Sequence, residues 1–246
     1  MKGSAAKSAL RTFAILEHFK RVRRPLRLKD IAAVLEYPLS STAELLKAAS
    51  DSGYLSFDPV SRTYFPVTRL AAIGDWIADE LYDRGKILEH MRTIHSIDGD
   101  GVILVLVNGL TVEYVEVLPP AANVHYEVAR GAQRPLIHSG SGWVSLCDET
   151  DEFVEKIYRR SCARRLIDCN LIKLDDVRKR IRTTRIDRFA VTQDIVFKNT
   201  VGISMALPKR GHGRRLALLV NGPTGKLEKN FSRIVDALRS ATTTMQ

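Results

Sequence analysis

Near residue 99 the chain changes period, and that change limits the folds open to it. Before it, apolar residues recur at three- and four-residue intervals, as on one face of a helix; after it come β-branched runs of strand length. Gly101–Val107 (GVILVLV) and Thr111–Leu118 (TVEYVEVL) flank Asn108-Gly109-Leu110, and Asn-Gly between two such runs signals a hairpin. Val124–Val128 reads as a third strand, and 200–207 and 215–221 as two more about a glycine-rich turn at Gly211-His212-Gly213. Helical patterns lie at 141–147, 150–160 and 173–185. An amphipathic helix over 225–241 closes the chain, with Leu227, Phe231, Ile234, Val235 and Leu238 inward. Hairpins mixed with helices predict an α+β fold about a central antiparallel sheet.

The N-terminal third is built differently. Residues 7–20 (KSALRTFAILEHFK) put Leu10, Phe13, Ala14, Ile15, Leu16 and Phe19 on a wide apolar face, and Arg23-Arg24-Pro25 ends that helix. Residues 28–35 form a second helix with Leu28, Ile31, Ala32 and Leu35 on one side. After Glu36-Tyr37, Pro38 suits a first helical position. The third helix, 39–51, turns Leu39, Thr42, Leu45, Leu46 and Ala49 inward and Ser40, Ser41, Ala43, Glu44 and Lys47 outward. Gly53 stops it. Tyr54–Phe57 and Thr63–Val67 then read as strands joined by the turn Asp58-Pro59-Val60-Ser61. Helix, helix-turn-helix and hairpin in this order make a winged helix-turn-helix. Residues 68–97 are helical, with breaks at Gly74 and Asp83-Arg84-Gly85 that predict a linker helix and then the start of the larger domain. The expected division is 1–67 for DNA binding, 68–84 for the linker and 85–246 for the second domain; 246 residues suit two domains.

Charge points to the partner. The chain carries a formal +10, and residues 1–70 hold twelve Lys/Arg against six Asp/Glu. The run Lys20, Arg21, Arg23, Arg24, Arg27, Lys29 contains no acid. Such an excess draws polyanions. The N-terminal part of a recognition helix meets base edges in the major groove. Ser40, Ser41, Thr42, Glu44 and Lys47 are therefore the expected reading residues, with Glu44 able to accept from cytosine and Lys47 suited to phosphate or guanine. Arg62 on the wing and Arg23, Arg24 and Arg27 are expected on phosphates or in the minor groove. Three cysteines, Cys147, Cys162 and Cys169, give no disulfide framework and read as free thiols. No apolar stretch approaches a membrane span, and the first residues do not read as a secretory signal, so cytoplasm is the expected compartment.

In the order and spacing of several motifs the chain resembles the IclR family of transcription regulators. Ala9-Leu10-Arg11 to Ile15-Leu16 is similar to that family's first helix, and Leu28-Lys29-Asp30-Ile31-Ala32 with Tyr37-Pro38-Leu39-Ser40-Ser41-Thr42 and Leu45-Leu46 to its helix-turn-helix. Gly53-Tyr54-Leu55 through Tyr64 looks like its wing. Gly131, Pro135-Leu136, Ser141-Gly142, Val201–Pro208 and Asn221-Gly222-Pro223 match motifs of its second domain. The chain departs from the pattern at Glu44, where the family usually has Arg, at Ile137, usually His, at Trp143-Val144, usually Lys-Ala, and at Arg188-Phe189, usually Gly-Tyr.

The resemblance implies a GAF-like effector domain, homodimers or homotetramers on repeated or palindromic double-stranded operators, and a small-molecule effector such as an organic acid or aromatic catabolite. Carried over by position, the effector pocket is expected at Gly140, Ser141, Thr192, Gly202 and Asn221, with Tyr126, Ser139, Asp194 and Ser204 beside them. Backbone N–H groups at Gly140-Ser141-Gly142 suit a carboxylate. Trp143 reads as core and His138 as a capping or solvent-facing residue. Neither a cofactor nor a metal is expected.

Three other readings compete. An enzyme would need a nucleophile elbow, and Ser139-Gly140-Ser141-Gly142-Trp143 is not one. A metal- or redox-responsive regulator would use the cysteines, but no C-x-x-C or H-E-x-x-H spacing occurs. A basic module without sequence specificity or effector would use Arg159-Arg160, Arg164-Arg165 and Arg178–Arg188, which read as solvated helix faces.

Overall fold

The computed structural model describes residues 2–98, 100–121, 128–209 and 213–245. The chain divides into two compact units, Met1–Ala78 and Asp79–Gln246.

The first unit opens with α1 (Lys2–Val22), which stops where Arg23 takes φ 51° ahead of Pro25. A two-residue strand, β1 (Leu26–Arg27), leads into α2 (Leu28–Val34), and a turn with Glu36 at φ 54° leads to α3 (Leu39–Asp51). Pro38 caps α3 and does not begin it: its carbonyl accepts from the Thr42 amide and the Thr42 hydroxyl, both at 3.0 Å. Gly53, at φ 74°, ends α3 with its amide and that of Tyr54 folded back on Ser50 and Ala49. The wing is β2 (Leu55–Asp58) and β3 (Thr63–Pro66), and β1 adds to it in the order β1-β3-β2. Ile15, Phe19, Leu26, Ile31, Leu46 and Leu55 form the core. Leu10, Phe13 and Leu39, expected inward, are exposed. The residues expected to form a linker helix and the next helix are three helices: α4 (Thr68–Ala72), α5 (Asp75–Tyr82) and α6 (Arg84–Asp98). The second break falls where Asp83 takes φ 48°.

The second unit is α+β. Its sheet contains β4 (Gly101–Asn108), β5 (Thr111–Leu118), β6 (Gln133–Pro135), β7 (Ala190–Gln193), β8 (Thr200–Ala206) and β9 (Leu216–Pro223). The order is β6-β5-β4-β9-β8-β7, antiparallel throughout. β4 is buried on both faces, from Gly101 to Leu106, as a central strand between helical layers must be. One layer holds α6 and α11 (Phe231–Thr244); the other holds α7 (Gly140–Leu146), α8 (Asp151–Ala163) and α9 (Leu174–Asp187). Ile103, Val105, Val112, Trp143, Leu146, Ile181 and Leu219 belong to the core beneath α7. The expected strand at 124–128 falls on 124–127, outside the described residues, and Val128 is in no strand; β6 pairs with β5 instead. Gly211 and His212 of the expected turn are also outside them. The closing helix is two, α10 (Thr224–Lys229) and α11, broken at Asn230.

Two buried acids are held by ion pairs. Glu116 accepts from Arg84 Nε at 2.7 Å, Tyr82 Oη at 3.1 Å and Arg130 at 3.4 Å. Burial, reinforced by the Glu116 charge, pushes the Tyr82 phenol up to about 12. Asp100 is held by Lys226 Nζ at 3.0 Å. Two arginines of the basic stretch 178–188 clip helices together, and so are not solvated faces. Arg178 reaches Glu155 at 2.8 Å, and Arg185 donates to the Cys147 and Glu149 carbonyls.

The cysteine expectation is corrected at two positions. After α8, Arg165 at φ 55° turns the chain back, and Cys162 and Cys169 are joined in a disulfide across 5.9 Å between Cα atoms. Cys147 is free and buried, and burial pushes its thiol up. Thiol titration of denatured, unreduced protein therefore reads one thiol, and three after reduction. Replacing Cys162 and Cys169 together by Ser lowers stability by about 2 kcal/mol through the lost loop constraint, read by urea denaturation.

Candidate functional site

In the first unit, α3 presents Ser40, Glu44 and Lys47 to solvent. Ser41 is half-buried. Its hydroxyl donates to the Pro38 carbonyl at 3.1 Å and accepts from Arg11 Nη1 at 3.3 Å, and the Arg11 guanidinium lies 4.8 Å from the centre of the Tyr37 ring. Arg11 and Tyr37 thus frame the start of α3. No single-helix period could announce them, because they meet across two elements. Thr42 is corrected: it is fully buried, its hydroxyl is spent on Pro38, and it cannot face DNA. Arg23, Arg24 and Arg27 are exposed around β1. Arg62 is exposed beside the wing turn at φ 54°. That turn is held by Asp58, which accepts from the Val60 amide and the Ser61 hydroxyl and leaves Val60 92% exposed at its tip.

In the second unit, Ser139 caps α7 by accepting from the Gly142 amide at 3.1 Å. A Cβ on Gly142 would lie 1.7 Å from the Leu136 carbonyl oxygen, and one on Gly140 would lie 2.9 Å from Thr192 Cγ2. Both positions are therefore glycine so that the helix start can sit against its neighbours. The close approach sets Ser141 Oγ 3.1 Å from Ser204 Oγ. Beneath lies a cavity of about 30 Å³ lined by Ser139, Gly140, Ser141, Thr192, Ser204 and Asn221 of the expected residues. Eight apolar or aromatic residues that the motifs did not indicate complete the lining: Ile103, Val112, Tyr114, Val128, Ile195, Val196, Phe197 and Leu219. Strand alternation is the only sequence signal for Ile103, Val112, Tyr114, Val128 and Leu219, and Ile195, Val196 and Phe197 have none. Gly202 stands behind the wall, its carbonyl accepting from Thr192 Oγ1 at 3.3 Å, and a Cβ there would be 2.7 Å from that hydroxyl. Asp194 is exposed in a turn at φ 56° and does not line the cavity. Tyr126 lies outside the described residues.

Trp143 points into the core, its Nε1 donating to the Ile137 carbonyl at 3.0 Å while Arg180 lies over its ring. His138 is half-buried, and burial, then Arg180, holds its pKa below the usual range. A wider open groove of about 520 Å³ runs between α9 and β7, past His138 and Arg180. The motif residues converge on the smaller cavity, and it is the candidate ligand site. Gly142→Ala is expected to cost more than about 3 kcal/mol in urea denaturation, because a backbone carbonyl cannot yield. Gly109→Ala, at φ 62° with open space around it, costs about 1 kcal/mol.

Residues 8–59 match the model of the IclR helix-turn-helix domain. The HTH-type transcriptional repressor AllR of Salmonella typhimurium is 23% identical over 240 residues, covering 92% of this chain and 83% of that protein. Among solved structures, the IclR of Thermotoga maritima aligns with a TM-score of 0.77 at 14% identity over 98% of this chain and 97% of that one. An IclR homologue of Microbacterium hydrocarbonoxydans, in complex with 4-hydroxybenzoate, aligns with a TM-score of 0.75 at 18% identity over 97% of each chain.

Proposed function

We propose that the chain is a transcription regulator of the IclR family, in which residues 1–67 bind a double-stranded operator and 85–246, a GAF-like domain joined through 68–84, hold a small organic effector that alters operator binding. The observation that carries the reading is the outward face of α3. Ser40, Glu44 and Lys47 are free for base edges there, and Arg23, Arg24, Arg27 and Arg62 are exposed for phosphates. Ser41 contributes through its hydroxyl, held in place by Arg11. The cavity beneath α7 is the effector seat, and the relative in complex with 4-hydroxybenzoate supports a small organic effector. The protein acts as a regulator and not as an enzyme, in the cytoplasm. It works as a homodimer or homotetramer, supported by Leu10 and Phe13 exposed one turn apart on α1 and by Ile73 and Trp76, also exposed.

Footprinting on the DNA upstream of its own gene, against shuffled DNA at about 150 mM salt, is expected to protect a repeated or palindromic site. Equal, salt-sensitive binding to both DNAs would instead leave a nonspecific basic module. Arg24→Ala flattens the slope of log affinity against log salt by about 1 per protomer on every sequence, as loss of a phosphate contact must. Lys47→Ala changes the preferred sequence. In sedimentation velocity the full chain runs as a dimer or tetramer, and Leu10→Asp with Phe13→Asp shifts it toward monomer.

A further inference from the structure

We infer that Cys162 and Cys169 form a reversible thiol–disulfide site, closed by hydrogen peroxide and reopened by an external thiol. The inference takes the cytoplasm from the reading above and nothing else, since neither cysteine lines the cavity beneath α7. A disulfide in a reducing compartment is transient unless its bond resists the glutathione pool. Both cysteines are partly exposed, so a small oxidant or a thiol can reach either sulfur. Between 159 and 173 the chain carries five cations, Arg159, Arg160, Arg164, Arg165 and Lys173, against one acid, Asp168. Arg159 is paired with Glu155, and Asp168 accepts from the Asn170 amide at 2.8 Å. The remaining positive charge favours thiolates, both as the attacking group and as the product of reduction. One field therefore speeds closure and keeps the bond reducible. Cys147 is the internal contrast: it is 5% exposed, its thiol donates to the Val144 carbonyl at 3.1 Å, and burial pushes its pKa up.

The loop is held by bonds that do not involve sulfur. The Arg165 amide donates to the Cys162 carbonyl and the Leu166 amide to the Ser161 carbonyl, both at 2.9 Å. The Ile172 amide donates to the Asp168 carbonyl, and Tyr158 Oη to the Ile172 carbonyl, again at 2.9 Å. After reduction the two thiols thus remain neighbours, and closure stays an intramolecular step. The two sulfurs are not equivalent. Cys162 lies in the last turn of α8, where the partial negative charge of the helix end opposes a thiolate. Cys169 lies in the loop, where Lys173 Nζ donates to its carbonyl at 3.4 Å. Cys169 is therefore the attacking residue and Cys162 the resolving one. The Cys169 thiolate attacks one peroxide oxygen: an S–O bond forms, the O–O bond breaks, and hydroxide leaves and takes up a proton as water. The product is a sulfenic acid. The Cys162 thiol then loses its proton and attacks that sulfur: the S–S bond forms, the S–O bond breaks and a second water leaves. The two thiols give up two electrons in all, and the peroxide gains them. Reopening passes through a mixed disulfide with glutathione, and a second glutathione thiol attacks it and leaves as oxidised glutathione.

The test uses the full-length protein, reduced, freed of reductant and exposed to hydrogen peroxide at neutral pH. Samples are quenched by alkylation and read by peptide mass spectrometry. The thiols of Cys162 and Cys169 are expected to disappear together, as one disulfide within the chain, about tenfold or more faster than that of Cys147. In a glutathione buffer at cytosolic poise, the folded protein is expected to reopen the bond in most molecules. With dimedone present, Cys162→Ser captures a sulfenic acid at Cys169, whereas Cys169→Ser captures none at Cys162. Circular dichroism confirms that each variant folds, and the wild-type measurements need no variant. If Cys162 and Cys169 are oxidised no faster than Cys147, or if the bond stays closed in the glutathione buffer, the disulfide is structural and the inference falls. Capture at Cys162 in Cys169→Ser overturns the assigned roles. Each of these outcomes leaves the operator and effector readings standing, since none of them measures DNA or ligand binding.

Discussion

Helix α7 can lie where it does because positions 140 and 142 carry no Cβ. At 142 the obstacle is a backbone carbonyl; at 140 it is the methyl of Thr192 and the hydroxyl of Ser204. With those two side chains absent, the helix start drops against β7 and β8, and several consequences follow from one approach. Ser141 reaches Ser204 and roofs the cavity. Trp143, one turn from the cap, becomes a core residue, since its indole enters the space under α9 and finds the Ile137 carbonyl. The far end of the helix delivers the Cys147 carbonyl to Arg185, which ties α9 down. A larger residue at either glycine would lift the whole assembly, because protein interiors transmit such displacements and do not absorb them.

Glu116 plays a comparable part in the opposite helical layer. A carboxylate that buried is costly unless its oxygens are fully engaged. Here one oxygen gathers Tyr82 from the end of α5, Arg84 from the start of α6 and Arg130 from the approach to β6. The α5–α6 junction and the approach to β6, distant in sequence, therefore share one acceptor on β5, and neither arginine can move away without leaving charge uncompensated. Val128, in the cavity lining, is two residues before Arg130, so the cavity wall and the beginning of the second unit are joined through this carboxylate.

What could be read from the sequence, and what could not, divides along the range of the interactions. β5 lies at the residues expected, since β-branched alternation on either side of Asn108-Gly109 is a local signal, and α3 does too, with Gly53 at its end. β1 and β6 were missed. Leu26-Arg27 and Gln133-Arg134-Pro135 have no strand pattern of their own and are strands only because β3 and β5 offer an edge. The disulfide was missed for a similar reason: the reversal at Arg165 that closes it is a left-handed arginine, which composition does not announce. Thr42 was placed among the reading residues by its neighbours in the motif, whereas its period already set it inward. In the cavity, motif positions supplied the polar half. The apolar half comes from five strands and loops that only tertiary structure brings together.

The outward face of α3 and the cavity beneath α7 differ in their physics, although one chain of formal charge +10 carries both. At the first, exposed arginines act through water. Their attraction for a polyanion extends over about a Debye length, fades with salt and is indifferent to sequence. At the cavity, the polar groups among the described residues of the lining are neutral and largely buried, and such groups act only at hydrogen-bond distance. There Asn221 Oδ1 is buried without a partner among the described residues, and Ser141 meets Ser204 at 3.1 Å. One chain thus carries a long-range field on its surface and a short-range pattern of hydrogen bonds in its interior, and the two respond to different conditions: the first to salt, the second to packing.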